Sequence, residues 1–172
     1  MEAETAVAGV DLRAYVRDIH DFPQPGIVFK DLTPLFLDAR ALVRAIELIA
    51  EYAAEREVEV VVAAEARGFI LGAAVAARVG AGFIPARKPG KLPLETAAAE
   101  YALEYGENAL EVHADAIAHG ARVLVHDDLL ATGGTAKAIA DLAEQLGAEV
   151  VGLAFVIELE FLKGRERLSD YD

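Results

Sequence analysis

The stretch "VLVHDDLLATGGT", residues 123–135, constrains this chain more than any other. Its first half is apolar and β-branched, the composition of a strand covered on both faces, and such strands belong to parallel sheets packed between helices. Asp127 and Asp128 end that strand, where a buried carboxylate needs a hydrogen-bond donor or a counter-charge. The small residues Thr132, Gly133, Gly134 and Thr135 follow, and "AKAIADLAEQLG" continues as a helix closed by Gly147. A strand, a glycine turn and a helix in that order leave free backbone amides and the positive end of a helix dipole at the strand's C-terminal end.

The pattern repeats. "VEVVVAAE" (58–65) reads as a second buried strand, "GFILGAAVAARVG" (68–80) as a small-residue helix closed by Gly80, and "GFIPA" and "EVVGLAFVIELE" as further strands. Apolar strands alternating with helices predict an α/β fold, a mostly parallel central sheet flanked by helices, with ligands bound beyond the C-terminal strand ends. Upstream, "LRAYVRDIHDF" (12–22) predicts a short amphipathic helix stopped before Pro23 and Pro25. Residues 38–57 predict a longer one, with Asp38 as N-cap and Leu42, Ala45, Ile46, Ile49, Tyr52 and Ala53 on one stripe. Residues 86–110 are too long for an ordinary connection and read as an irregular, functional loop. No repeat or linker divides the chain, so its 172 residues read as a single domain.

Cysteine is absent, which removes disulfides, thiolate nucleophiles and Cys-based zinc sites. No apolar run approaches the ~20 residues of a membrane span, and the first residues lack the pattern of a secretory leader, so the expected location is cytoplasmic, with no membrane partner. A net charge of -13, from 29 acidic and 16 basic residues, argues against a nucleic-acid partner. It does not exclude an anionic small molecule, because such a site needs only a few local cations and amides.

The segment Thr132 to Thr135 has the form of a phosphate cradle: glycine admits close approach of an oxyanion, and the threonine hydroxyls add hydrogen bonds. It matches neither a Walker A loop nor a dinucleotide fingerprint. Taken alone it is also an ordinary helix start. Asp127 and Asp128 are suited to accept hydrogen bonds from sugar hydroxyls, and together the two features suggest a ribose 5-phosphate. A metal site at "HDD" is disfavoured because consecutive strand residues point to opposite faces, so His126 is expected to be a hydrogen-bonded strand residue. A second strand-end turn, "EARGF" (65–69), offers Arg67 to another anion or to an ion pair with Glu65. Arg87, Lys88 and Lys91 cluster on the long loop of an otherwise acidic chain. Two anion sites flanking a diol site imply a ligand phosphorylated at two ends.

The segment "VLVHDDLLATGGT" resembles the phosphoribosyl diphosphate motif of the type I phosphoribosyltransferases. "DFPQPGIVFKDLTPL", "EARGF", "RKPGKLP", "YALEYG" and "FLKGRERL" are similar to the branch of that family that uses adenine, in order across nearly the whole chain. The resemblance implies the type I phosphoribosyltransferase fold, with a small N-terminal hood over about residues 1–35 and a flexible catalytic loop over about 86–110. It implies transfer of the 5-phosphoribosyl group from phosphoribosyl diphosphate to N9 of adenine, with Mg2+ carried mainly by the diphosphate. It assigns the ribose hydroxyls to Asp127 and Asp128, the 5-phosphate to Ala131–Thr135, and the diphosphate to Glu65, Ala66 and Arg67. Arg87, Lys88 and Lys91 then act across a homodimer interface. Glu104, with Tyr105 beside it, is the candidate for proton transfer; Phe29 and Leu159 sandwich the base, and the backbone near Val28 and Lys30 reads its edge. The chain departs from the family at Lys30, where arginine is frequent, and at His126, where an aliphatic residue is usual. A 6-oxopurine enzyme and a non-catalytic nucleotide sensor are the rivals; the adenine-type "PGIVFKD" and the loop "EYALEYG" speak against them.

Overall fold

The computed structural model describes residues 9–103 and 106–172, and for 100–103 and 106–108 the backbone alone. The chain forms two compact units, one ending at Leu48 and one running from Ile49 to Asp172.

In the first unit, Asp11 caps a single 3-10 turn, Leu12–Tyr15, by accepting the Arg13 amide at 3.0 Å. The helix expected over 12–22 ends there. Strand β1 (Arg17–His20) pairs antiparallel with β2 (Val28–Asp31), with Arg17 opposite Asp31 and Asp18 opposite Lys30. Both cross-strand pairs carry opposite charges in contact: Arg17 Nη2 lies 2.6 Å from Asp31 Oδ2, and Lys30 Nζ 2.6 Å from Asp18 Oδ1. Cross-strand pairing thus outweighs the helical period of one short segment. Asp31 also accepts the Thr33 amide, and that bond, followed by Arg17, holds its carboxyl down to about 2. Helix α1 (Thr33–Leu37) follows, then α2 (Ala39–Glu55), whose first amides, Arg40 and Ala41, donate to Asp38 Oδ1 at 2.9 and 3.0 Å. Asp38 is the N-cap that the sequence predicts.

The second unit contains β3 (Val60–Ala64), α3 (Gly68–Val79), β4 (Gly82–Ala86), β5 (Thr96–Leu103), β6 (Gly106–His113), β7 (Arg122–Leu130), α4 (Gly134–Gln145), β8 (Glu149–Glu158) and the short α5 (Gly164–Arg167). Strands β4, β3, β7 and β8 form one sheet in that order, all parallel. Val61, Ala63, Leu124 and His126 are buried on one face, and Val62, Ala64, Val123 and Val125 on the other, as a sheet covered twice requires. Helix α3 covers the first face so closely that a Cβ on Gly72 would come within 2.8 Å of the Ala63 Cβ. Helix α4 covers the second with Ile139, Ala140, Leu142 and Ala143.

Of residues 86–110, expected as an irregular loop, Thr96–Leu103 and those from Gly106 onward are instead paired strands. β5 and β6 form an antiparallel hairpin, in register from Thr96↔His113 to Leu103↔Gly106. Alternating Leu110 and Val112 join the core, while the alanines of β5 carry little strand propensity and so hid the element.

His126 is fully buried in β7, and its Nδ1–H donates to the Ala154 carbonyl at 2.9 Å. Its Nε2 finds no hydrogen-bond partner among the described residues. Burial outweighs that bond and lowers the imidazole pKa from 6.5 to about 4, so the ring is neutral at pH 7. The unfolded chain therefore takes up a proton first as the pH falls. Stability that is intact above pH 6.5 is lost progressively down to pH 4, by up to roughly 3 kcal/mol. His126→Leu should stay within about 1 kcal/mol of the parent at pH 7.5. Urea titrations at pH 7.5, 6.5, 5.5 and 4.5 should show the gap widening in the variant's favour; parallel curves would contradict the buried neutral imidazole.

Candidate functional site

β7 does not stop at the aspartates: it continues beside β8 to Leu130, opposite Glu158. The pair therefore sits within a hydrogen-bonded strand, in a fixed position. Asp127 Oδ1 accepts the Asp128 amide at 2.9 Å. A Cβ on Gly68, the first residue of α3, would lie 3.1 Å from Asp127 Oδ1 and 3.2 Å from the His126 carbonyl oxygen, so glycine lets the helix start against the carboxylate. Burial, reinforced by the charge of Asp128, raises the Asp127 carboxyl to about 7. Asp128 is only 4% exposed, and burial raises its pKa too. Arg67 opposes that rise, with Nε 2.7 Å from Asp128 Oδ2.

Beyond Leu130 the chain turns through Ala131–Gly133 into α4. Gly133 is the N-cap, at φ 78°, and no side chain caps the helix. Residues of its first turn line a pocket of about 100 Å³, together with Asp127, residues 129–133 and Phe155. The lining holds one carboxylate and no basic side chain. The turn is braced from behind: a Cβ on Gly133 would meet the Gly164 carbonyl oxygen at 2.7 Å, and one on Gly164 would meet the Ala131 oxygen at 2.4 Å. The Leu159 amide donates to the Leu130 carbonyl at 2.9 Å. Sequence reasoning had missed the structural part played by Gly68, Gly164 and Phe155.

In the second turn Arg67 does not pair with Glu65. Glu65 Oε2 accepts the Lys88 amide at 3.0 Å and Arg87 Nε at 3.2 Å, and these donors, in that order, lower its pKa. Arg87 is thus engaged at the end of β3, and Arg67 turns to Asp128. The Glu65–Ala66 peptide is cis. The structure brings Arg67, Asp127, Asp128 and Ala131–Thr135 together at the C-terminal ends of β3 and β7, and Glu65 together with Arg87 and Lys88. Phe29 lies in β2, its ring edge-on to Phe22 at 5.3 Å, with Val28 half-exposed beside it and the Lys30 side chain held by Asp18. Leu159 precedes the 3-10 turn Glu160–Leu162. Glu104 and Tyr105 lie outside the described residues.

Residues 36–172 match the phosphoribosyl transferase domain. The chain belongs to the phosphoribosyltransferase family. Within it, the chain groups with the adenine phosphoribosyltransferases. One such protein, from Koribacter versatilis, is 57% identical over 171 residues, which is 99% of this chain and 94% of the relative. The crystal structure of adenine phosphoribosyltransferase from Thermoanaerobacter pseudethanolicus is 51% identical, with a TM-score of 0.90 over 94% of both chains. That from Saccharomyces cerevisiae, complexed with an imino-altritol bisphosphate and adenine, is 39% identical, with a TM-score of 0.86 over 91% of both. The parallel α/β architecture is that of the type I phosphoribosyltransferases.

Gly133→Ala should injure the turn twice, through its left-handed φ and through contact with Gly164. The expected loss is about 1–3 kcal/mol of stability, with at least ~10-fold weaker binding of ribose 5-phosphate. Thermal melts and calorimetry check both; unchanged binding would exclude the turn from the site.

Proposed function

We propose that the whole chain is one phosphoribosyltransferase domain that transfers the 5-phosphoribosyl group from phosphoribosyl diphosphate to N9 of adenine, giving AMP and diphosphate. The observation that carries this reading is the pocket at the end of β7, where the carboxylate of Asp127 and a helix start without a side-chain cap stand side by side. The relatives at more than 50% identity, all adenine phosphoribosyltransferases, supply the base.

Each group then has a task. The amides of Thr132–Thr135 and the dipole of α4 take the 5-phosphate. Asp127 and Asp128 accept the ribose hydroxyls, which replace the solvent that burial has removed. Arg67, with Glu65 and Ala66 in the same turn, serves the diphosphate and gives up part of its attraction to Asp128 in doing so. In the reaction the bond from C1 of the ribose to diphosphate breaks with its electron pair on the leaving oxygen. The bond from N9 to C1 forms, and the N9 proton departs. Glu104, with Tyr105 beside it, is the proposed acceptor of that proton. The nearby carboxylates favour the electron-poor ribosyl centre, and cations favour the departing charge.

Among the described residues, no group of three or more His, Cys, Asp or Glu side chains is arranged to hold a metal ion. Mg2+ would arrive mainly on the diphosphate, and Asp127 and Asp128 would hold that complex through the ribose hydroxyls. When bound it would neutralise leaving-group charge. The base-binding roles of Phe29, Val28, Lys30 and Leu159, the cross-subunit roles of Arg87, Lys88 and Lys91 in a homodimer, and a cytoplasmic location belong to the same proposal. They rest on the resemblance; no described helix is long and apolar enough to cross a membrane.

Incubated with phosphoribosyl diphosphate and Mg2+, the protein should make AMP from adenine and little product from hypoxanthine or guanine. A carbonyl that pairs with the 6-amino group is left facing an oxygen by hypoxanthine, at a cost of ~1–3 kcal/mol or more. Glu104→Gln should lower kcat by about 10²-fold or more while leaving KM for phosphoribosyl diphosphate nearly unchanged. IMP or GMP as the main product would move the reading to a 6-oxopurine enzyme.

A further inference from the structure

We infer that Arg167 is a positioning residue for the sugar phosphate, a cation held at the rim of the pocket by the packing of α5 against the glycine turn. This rests on reading that pocket as the 5-phosphate site. The lining meets a phosphate, largely a dianion at pH 7.5, with amides and a helix dipole worth about half a charge, yet with no basic side chain and with the carboxylate of Asp127. A cation from outside the lining would complete the balance.

The surrounding cations narrow the choice. Lys137, in the first turns of α4, pairs with Asp141. Of the three cations in "LKGRERL", Lys163 pairs with Glu166 at 3.2 Å, and Arg165 with Glu158 at 2.7 Å. Arg167 is exposed and has no carboxylate partner among the described residues. Its backbone is not free to drift. Buried Gly164 sits against Ala131 and Leu130, and buried Leu168 anchors the other end of the helix in the core. The Arg167 Cβ consequently lies 3.5 Å from where a Cβ on Gly133 would stand. Two of the three cations are paired, one with Glu166 and one with Glu158 at the end of β8, and the third stands beside Gly133 of the pocket's turn. Here Gly164 does more than close a turn: without its bare Cα, α5 could not bring Arg167 this near.

The test compares Arg167→Ala, Arg167→Gln and Arg167→Lys with the parent, by steady-state kinetics and by calorimetric titration with ribose 5-phosphate. In Arg167→Ala and Arg167→Gln, KM for phosphoribosyl diphosphate and Kd for ribose 5-phosphate should rise by roughly 5- to 20-fold at low salt. The kcat and the KM for adenine should stay within about twofold. Arg167→Lys should recover most of the loss, and about 0.5 M salt should shrink the difference between variants and parent. Binding equal to the parent's in Arg167→Ala and Arg167→Gln overturns the proposal. So does an Arg167→Lys variant as impaired as Arg167→Ala, which would mark a packing role. The binding arm is independent of turnover. A parent that binds ribose 5-phosphate but makes no AMP counts against the reaction and leaves the Arg167 comparison intact, whereas a parent that does not bind it overturns both.

Discussion

Two adjacent carboxylates buried near the C-terminal end of a parallel strand set the terms for everything around them. Asp127 and Asp128 cannot be accommodated by packing alone, and most of the local architecture answers that demand. Gly68 starts α3 without a side chain so that the helix comes up to Asp127. Arg67, one residue earlier, reaches Asp128. Even so, burial and the neighbouring charge of Asp128 push the Asp127 carboxyl up to about 7, although its Oδ1 accepts the Asp128 amide. Ligand hydroxyls are suitable donors.

The second constraint is steric. The glycine turn after β7 works because two backbones nearly touch there, at Gly133 and Gly164 and again at Gly164 and Ala131. The segment after β8 is therefore part of the site's construction, although its side chains do not line the pocket. Its arginines and lysine are not equivalent surface charges, since Lys163 is matched by Glu166 and Arg165 by Glu158 at the end of β8, and Arg167 by no carboxylate among the described residues.

Much of this was legible in the residues. The buried strands, the capped helix after Asp38, the glycine stops at Gly80 and Gly147 and the parallel sheet follow from local composition and period. The pairing of Asp127 and Asp128 with Thr132–Thr135 was legible for the same reason: strand, turn and helix are consecutive in the chain. What escaped depends on partners distant in sequence. The segment "RDIH" is a strand because Asp31 and Lys30 face it, 14 and 12 residues away from Arg17 and Asp18. The alanines of β5 take their conformation from β6, and Glu65 finds Arg87 rather than Arg67 because β4 lies beside β3.

The crystal structure of the complex with ribose 5-phosphate tests the central claim most directly. The phosphate oxygens should lie within about 3 Å of the amide nitrogens of Thr132–Thr135, and the ring hydroxyls should bond Asp127 and Asp128. A phosphate bound instead at the Glu65–Arg67 turn, with Arg67 gone from Asp128 and the Asp127 and Asp128 carboxylates touching no hydroxyl, would contradict it.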